Sequence, residues 1–168
     1  YNGKRIGDEY LMPYSNDYTQ WTQYQTFDVT ELVKDSTASS TEMATATAAP
    51  ITSLSILLGN GWYKGRFGFS EEGKTGYWGK EWKLIAELQL FYTDGTSKVI
   101  GTDDSWTVRR SNITFSNLYD GEHQDDTLES IPEEQAVFCE APEGALSDRM
   151  SLPVRMHETF KPVELIHT

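Results

Sequence analysis

The stretch that most constrains the fold is a run of alternating side chains that ends in a tight-turn signal. Four aliphatic residues recur at every second position from Leu84 to Leu90. That period places them on one face of a β-strand, because successive side chains of a strand point to opposite faces. Asp94-Gly95 then turns the chain into a second run, Ser97 to Gly101, as is typical of a hairpin. The segment therefore predicts an antiparallel β-hairpin.

Other short β-type runs follow one another at the spacing of an antiparallel sandwich, roughly 8–12 residues. No segment repeats with a helical period, so helices are expected only as single turns, one of them capped by Asp28 or Thr30. These observations predict an all-β fold. The further predicted strands are Thr22–Val29, Ile51–Leu58, Trp106–Val108, Ile113–Phe115 and Val137–Cys139.

The length of 168 residues is that of one domain with one core. We place this β domain at residues 1–146 and interpret residues 147–168, which contain two prolines, as a linker or the start of a next domain. Residues 35–50 are almost entirely Ser, Thr and Ala, which predicts a low-complexity insertion. The chain opens at Tyr1 within what looks like the end of a strand, so we expect an excised piece of a longer protein.

The charge of the chain excludes several classes of partner. Lys and Arg number 14 against 26 Asp and Glu, which gives a formal charge of -12. Such a charge repels phosphate backbones, so no nucleic-acid partner is expected. No stretch approaches the roughly 18 apolar residues that cross a bilayer, and we recognise no signal peptide within this fragment, so we expect no membrane partner. The compartment of the parent protein, cytoplasmic or secreted in a bacterium, stays open.

The single cysteine, Cys139, excludes an internal disulfide framework. No cluster of Cys and His has the spacing of a zinc site. Cys139 ends the apolar run 136–139, which predicts a buried side chain without chemistry of its own.

A glycine-rich aromatic stretch, Gly59 to Gly68, is the strongest candidate for a binding loop. Its four glycines supply backbone conformations that other residues avoid, and its aromatic residues supply flat apolar faces. Sugars suit such a loop, because pyranose C–H faces lie against an indole while the hydroxyls need polar partners. The alternative is that Trp62 only fills the end of the core. The candidate substrate-binding residues are Asn60, Trp62, Tyr63, Arg66, Trp78 and Trp82.

Four carboxylates lie close together in the sequence between Asp120 and Asp126. Such a cluster is unfavourable unless a cation, a basic side chain or water relieves the repulsion. Two interpretations stay open, a solvated loop and a calcium site, since calcium prefers hard oxygen ligands at short spacing. The candidate metal ligands are Asp120, Glu122 and Asp125; a third hypothesis makes Asp120, Glu122 and His123 the acid and base of a free-standing enzyme.

Four motifs occur in order along nearly the whole chain: Asn2–Gly7, Tyr24–Thr30, Leu58–Gly65 and Leu118–Glu122. In this order and at this spacing they resemble the N-terminal domain of bacterial α-L-rhamnosidases. The segments 152–155 and 160–163 look like the link into the next domain of such enzymes, whereas residues 35–50 replace a much shorter turn of the family.

The resemblance implies a jelly-roll-like antiparallel β-sandwich with long loops, an accessory domain that recognises substrate. Catalysis in this family belongs to a separate helical barrel, and glycoside hydrolysis by inversion needs two carboxylates about 6.5–9.5 Å apart, which we expect there. We therefore predict that this fragment is not a hydrolase. The expected partners are a rhamnose-containing carbohydrate and the remaining domains of the parent, and related modules bind rhamnose with the help of calcium. The alternative is a structural domain that docks against the barrel and binds no sugar.

Overall fold

The computed structural model describes residues 1–35, 53–66, 74–128 and 132–162. Its regular structure there is mainly β, with two short helical segments, α1 at residues 30–35 and α2 at Gly61–Lys64. The all-β prediction is confirmed. No helix within these residues is long and apolar enough to cross a membrane. The strands of the described residues are β1 (Glu9–Tyr10), β2 (Trp21–Tyr24), β3 (Glu87–Phe91), β4 (Ser97–Gly101), β5 (Thr107–Val108), β6 (Ile113–Asn117), β7 (Gly121–Gln124), β8 (Glu134–Gln135), β9 (Ala145–Asp148) and β10 (Val154–Arg155).

The described strands pair two by two. Neighbours in sequence form the pairs β3–β4 and β6–β7, whereas β1–β10, β2–β9 and β5–β8 join segments far apart in the chain. All pairs with a defined register are antiparallel. The finer assignment to a jelly roll stays a prediction, because these pairs do not extend into larger sheets within the described residues.

The hairpin β3–β4 is confirmed with the predicted turn. Leu88 lies opposite Ile100, and Phe91 lies opposite Ser97. Every second residue from 84 to 90 is half-buried and the residues between are exposed, which is the predicted alternation. The turn closes through a bond from the Gly95 N–H to the Tyr92 carbonyl at 3.1 Å. Gly95 has a φ of 85°, a conformation that favours glycine.

Three predicted strands are wrong or too long. The strand expected at 22–29 ends at Tyr24, and the described part of the run 51–58, residues 53–58, forms no strand. Residues 137–139 form none either, and the strand in that region is β8 instead. An apolar run supplies side chains for a strand, but ladder hydrogen bonds require a partner segment that the run itself does not specify. Cys139 is exposed rather than buried, and residues 137–139 form no strand pair with the described part of the chain.

Several loops are fixed by Asx turns, in which an aspartate side chain binds the backbone that follows it. In each, an Asp carboxylate accepts a hydrogen bond from the backbone N–H two residues later, which is the geometry of an Asx turn. At Asp94 the acceptor distances are 2.9 Å to the Thr96 N–H and 2.7 Å to its hydroxyl. These bonds to the ionised form lower the pKa of the carboxyl. The turns begin at Asp17, Asp28, Asp94, Asp103 and Asp125.

The chain divides into two compact units. The first comprises Tyr1–Asn16, Thr22–Leu57 and Leu146–Thr168, and the second comprises Asp17–Trp21 and Leu58–Ala145. The boundary expected between residues 146 and 147 stays a prediction. The described aromatic and acidic candidates all lie in the second unit, while Phe67 and residues 36–50 of the expected insertion lie outside the described residues.

The first unit is held by a nearly buried carboxylate. The Glu9 side chain is 6% exposed and is paired with the guanidinium of Arg149. Gln25 donates a second hydrogen bond at 2.9 Å, and Arg155 lies 3.5 Å away. The hydrogen bond from Arg149 is the main reason that the pKa of Glu9 lies below its usual value. The cluster links β1 to the segment that precedes β10, which explains how the C-terminal residues belong to this unit.

Candidate functional site

The short helix α2 lies at the centre of the candidate side chains and itself carries Trp62 and Tyr63. It begins after Asn60 and ends at Lys64, and its first residue, Gly61, has a φ of 48° that favours glycine. The Asn60 carbonyl accepts from the Lys64 N–H at 2.9 Å and from the Gly65 N–H at 3.2 Å. Since successive residues of a helical turn point about 100° apart, Trp62, Tyr63 and Lys64 leave α2 in different directions.

Asn60, one of the candidate substrate-binding residues, fastens the start of α2. Its side-chain amide donates to the Ser116 carbonyl at 2.8 Å and ties the start of α2 to β6. Gly65 follows the helix and is buried, and a Cβ there would lie 2.5 Å from the Gly61 carbonyl oxygen and 2.9 Å from Asn117 Oδ1. Only glycine allows this close approach of α2 to Asn117.

Tyr63 and Trp78 both contact Tyr18, which was not among the predicted site residues. The Tyr18 ring lies 5.1 Å from the Tyr63 ring and 5.6 Å from the Trp78 ring, both in edge-on geometry. Burial, and secondly the neighbouring Tyr63 hydroxyl, raise the pKa of Tyr18. Gly79 faces the Tyr63 phenol so closely that a Cβ would overlap it. Tyr63 and Trp78 are thus half-buried members of one aromatic cluster.

Trp82 is the candidate aromatic residue with the most accessible ring. It is 54% exposed, whereas Trp62, Tyr63 and Trp78 are half-buried. The Lys64 ammonium lies over it, with Nζ at 3.1 Å from the ring centroid. This cation–π contact holds the indole beside α2 while a large part of its surface stays open to solvent.

Trp62 and Arg66 both contact the turn between β6 and β7. The Trp62 ring packs edge-on against Tyr119 at 6.1 Å, and the Arg66 guanidinium lies 5.2 Å from the same Tyr119 ring. Arg66 also binds Asp120 with two bonds, Nε to Oδ2 at 3.1 Å and Nη2 to Oδ1 at 2.7 Å. The hydrogen bond from Arg66 is the main reason that the pKa of Asp120 is lowered. Arg66 and Asp120 thus satisfy each other's charge.

The expected calcium ligands do not come together. Asp120 is bound to Arg66, and Asp125 accepts from the Thr127 N–H and hydroxyl at 2.9 and 2.6 Å. Glu122 lies on β7 opposite Ser116. In the parts of the chain that the structure describes, no three His, Cys, Asp or Glu side chains are placed to share a metal ion.

The arrangement expected for an acid–base pair is equally absent from this hairpin. Glu122 and His123 are successive residues of β7, and their side chains therefore point to opposite faces. The His123 ring packs on Phe115 at 5.1 Å. Asp120 is bound to Arg66 instead of to Glu122 or His123.

The site contains residues that reasoning from the sequence missed. Tyr18, Lys64 and Tyr119 each contact a predicted aromatic residue. The sequence signal for Tyr18 is its place in a stretch rich in aromatic residues, which also contains Tyr10, Tyr14 and Trp21. No sequence signal indicated Asn117, because its role depends on the close packing of Gly65.

Comparison with known proteins identifies the family. A family model described as the alpha-L-rhamnosidase N-terminal domain matches residues 1–158. The chain belongs to this family. The α-L-rhamnosidase of Streptomyces avermitilis is 33% identical over 165 residues, which is 98% of the chain and 14% of that relative. An α-L-rhamnosidase of Alteromonas sp. (strain LOR) is 30% identical over 175 residues, covering 96% of the chain and 17% of the relative.

A more distant α-L-rhamnosidase, from Formosa agariphila, is 26% identical over 131 residues, which is 76% of the chain and 12% of the relative. The rhamnosidase N-terminal domain described here thus spans only 12–17% of the length of these curated relatives. The resemblance seen in the sequence motifs is confirmed. No solved structure matches the chain significantly.

Proposed function

We propose that this rhamnosidase N-terminal domain is a non-catalytic carbohydrate-recognition domain of a larger α-L-rhamnosidase. The observation that carries the proposal is the Trp82 indole, 54% exposed and held in place beside α2. A flat, solvent-accessible indole is the surface on which a pyranose ring stacks through its C–H face. The relatives are α-L-rhamnosidases by name, which favours a rhamnose-containing carbohydrate as the ligand.

The other candidate residues fix the elements that carry the Trp82 indole, which we call the platform. Tyr63 packs against Tyr18 and Gly79, so it fixes α2 and the loop that leads to Trp82. Trp62 and Arg66 fix the opposite side of α2 on the β6–β7 turn. In this proposal Asn60, Trp62, Tyr63, Arg66 and Trp78 position the platform, and Trp82 contacts the sugar.

The domain lacks catalysis in this proposal because the hydrolytic carboxylates belong to another part of the parent enzyme. Inverting hydrolysis needs an acid and a base across one sugar, about 6.5–9.5 Å apart. Asp120 is bound close to α2 by its bidentate pair with Arg66, and this pair withholds it from proton transfer. The remaining domains of the parent are therefore proposed partners.

Isothermal titration of the chain with L-rhamnose tests the proposal, with and without calcium because related modules use that ion. We expect heat of binding at millimolar sugar that disappears in Trp82→Ala. Phe91→Ala is the matched control, since it removes an aromatic residue that is 80% exposed on β3. Absence of heat from the unaltered chain in both buffers, or equal binding by Trp82→Ala, contradicts the proposal.

A second candidate function is a structural domain that docks against the rest of the parent. It is favoured by large apolar side chains at the surface of the second unit, among them Phe91 at 80%, Val137 at 85% and Phe138 at 76% exposure. Exposed apolar groups mark an interaction surface where they form one contiguous patch, as this candidate function requires of these side chains. If so, Phe138→Ser lowers the Tm of the full-length parent and leaves the Tm of the isolated chain unchanged. An unchanged parent Tm contradicts docking through Phe138.

A further inference from the structure

The segment 149–155, which we call the strap, is fastened to the first unit through charged side chains at both of its ends. The Arg149 guanidinium pairs with the Glu9 carboxylate, and Arg155 Nη2 lies 3.5 Å from the same Glu9 oxygen. The Glu9 side chain is 6% exposed, so protein donors, these two arginines and Gln25, replace the water around its carboxylate. Both ends of the strap therefore depend on one side chain.

The middle of the strap contributes little apolar burial. Met150 is 68% exposed and Leu152 is 89% exposed, so opening of the strap removes little apolar contact from either side chain. The Met150 N–H donates to Gln23 Oε1 at 3.2 Å, a contact that water can replace. The Ser151 hydroxyl is buried without a hydrogen-bond partner among the described residues, and it gains one from water when the strap opens. The Glu9 contacts are therefore the main interactions that opening of the strap breaks.

We propose that the strap opens as one unit while the rest of the first unit stays folded, and that Glu9 is the latch that holds it closed. Segments with few buried apolar contacts open locally at a lower free energy than global unfolding. The β1–β10 ladder adds only the pairs Glu9–Arg155 and Tyr10–Val154. Removal of the Glu9 carboxylate takes from both arginines a partner that lies out of water, which favours the open form. The open strap leaves β1 without its described partner strand.

Limited proteolysis of the chain with trypsin tests this inference, because the strap supplies two trypsin sites, after Arg149 and after Arg155. When opening and closing are fast compared with cleavage, the initial cleavage rate follows the population of the open form. We expect Glu9→Gln to raise the initial cleavage rate at both sites about tenfold. Cleavage after Lys98, which lies on β4 in the second unit, should stay unchanged.

Asp8→Asn is the matched control. Asp8 is the neighbouring carboxylate and also pairs with Arg155, at 3.0 Å, but its side chain is 72% exposed, so its loss should leave strap cleavage within about twofold. Strap cleavage that is unchanged in Glu9→Gln, or raised equally by Asp8→Asn, overturns the role of Glu9 as the latch. A rise at only one of the two strap sites overturns opening as one unit. Equal acceleration of cleavage after Lys98 would show that Glu9 holds the whole fold, and it likewise overturns the proposal.

Discussion

Gly65 is required at its position by space, not by backbone conformation. Its φ of -71° is available to any residue, but a Cβ would meet Gly61 O at 2.5 Å and Asn117 Oδ1 at 2.9 Å. Since both neighbours are constrained, by the backbone of α2 and by burial, they cannot easily move aside. We expect Gly65→Ala to lower the free energy of unfolding by about 1–3 kcal/mol.

Urea unfolding measures this change, and Gly59→Ala is the matched control. A Cβ on Gly59 meets nothing within 4 Å, so its effect should stay within about 0.5 kcal/mol. Equal denaturation midpoints for the two variants would show that Gly65 does not pack as described.

Asp120 gives the second prediction at the scale of single residues. Its pKa is lowered in the folded chain, chiefly by the bond from Arg66, below the value of about 3.9 usual for Asp. A lowered folded pKa stabilises the fold at pH values above the unfolded pKa, and the contribution is lost as the pH falls through the folded pKa. We therefore expect Asp120→Asn to be less stable than the unaltered chain at pH 7, with the difference shrinking once the pH falls below the unfolded value of about 3.9 and towards the lowered folded pKa.

Unfolding curves at several pH values between 7 and 3 check this dependence. Glu122→Gln controls for the change in net charge. Glu122 lies in the same hairpin, and its carboxylate forms no ion pair with the described residues. A stability difference that is constant with pH would contradict the role assigned to the Arg66–Asp120 pair.

At the scale of elements, the β3–β4 hairpin tests whether alternation assigns the two faces correctly. Leu88 is half-buried opposite Ile100, and Val99 on the other face is 58% exposed. We expect Leu88→Ala to cost about 2 kcal/mol of unfolding free energy, at the low end for a core truncation. Val99→Ala should cost within about 0.5 kcal/mol. Chemical denaturation measures both, and a larger loss in Val99→Ala would mean that the faces are exchanged.

The elements that could be predicted from the sequence are those whose interactions join residues close together in the chain. The β3–β4 hairpin, its Asp94-Gly95 turn and the turn at residues 30–35 depend on neighbours within a few positions, and each was predicted. The strand β1 and its partner β10 were not, because their pairing joins distant segments. The Glu9–Arg149 pair spans 140 positions, and nothing in the local sequence of either residue indicates the other.

The candidate site divides in the same way. The stretch from Gly59 to Gly68 was predicted as a binding loop, and its described part, up to Arg66, contains α2 with Trp62 and Tyr63. The sequence could not show which rings turn inward, because that depends on Tyr18 and Gly79, which lie in separate segments of the second unit. It likewise could not show that Arg66 neutralises Asp120, 54 positions away.

At the scale of the whole molecule, the account predicts recognition without turnover. Under the proposed function the purified chain should not hydrolyse an aryl α-L-rhamnoside, because Asp120 is held in a bidentate pair with Arg66 and the hydrolytic carboxylates are expected in another part of the parent. A chromogenic rhamnoside assay at high enzyme concentration measures this. Turnover by the chain that is lost in Glu122→Gln would contradict the non-catalytic assignment.

The most direct test of sugar recognition follows the indole N–H signals of the five tryptophans by nitrogen–proton correlation spectroscopy while L-rhamnose is added. The Trp82→Phe variant assigns the signal of the platform, and Trp106, half-buried beside β5, provides the internal reference. The account predicts that the Trp82 signal moves most and saturates, while the Trp106 signal stays. A Trp82 signal that does not move at any millimolar concentration of rhamnose, or that moves no more than the Trp106 signal, would contradict it.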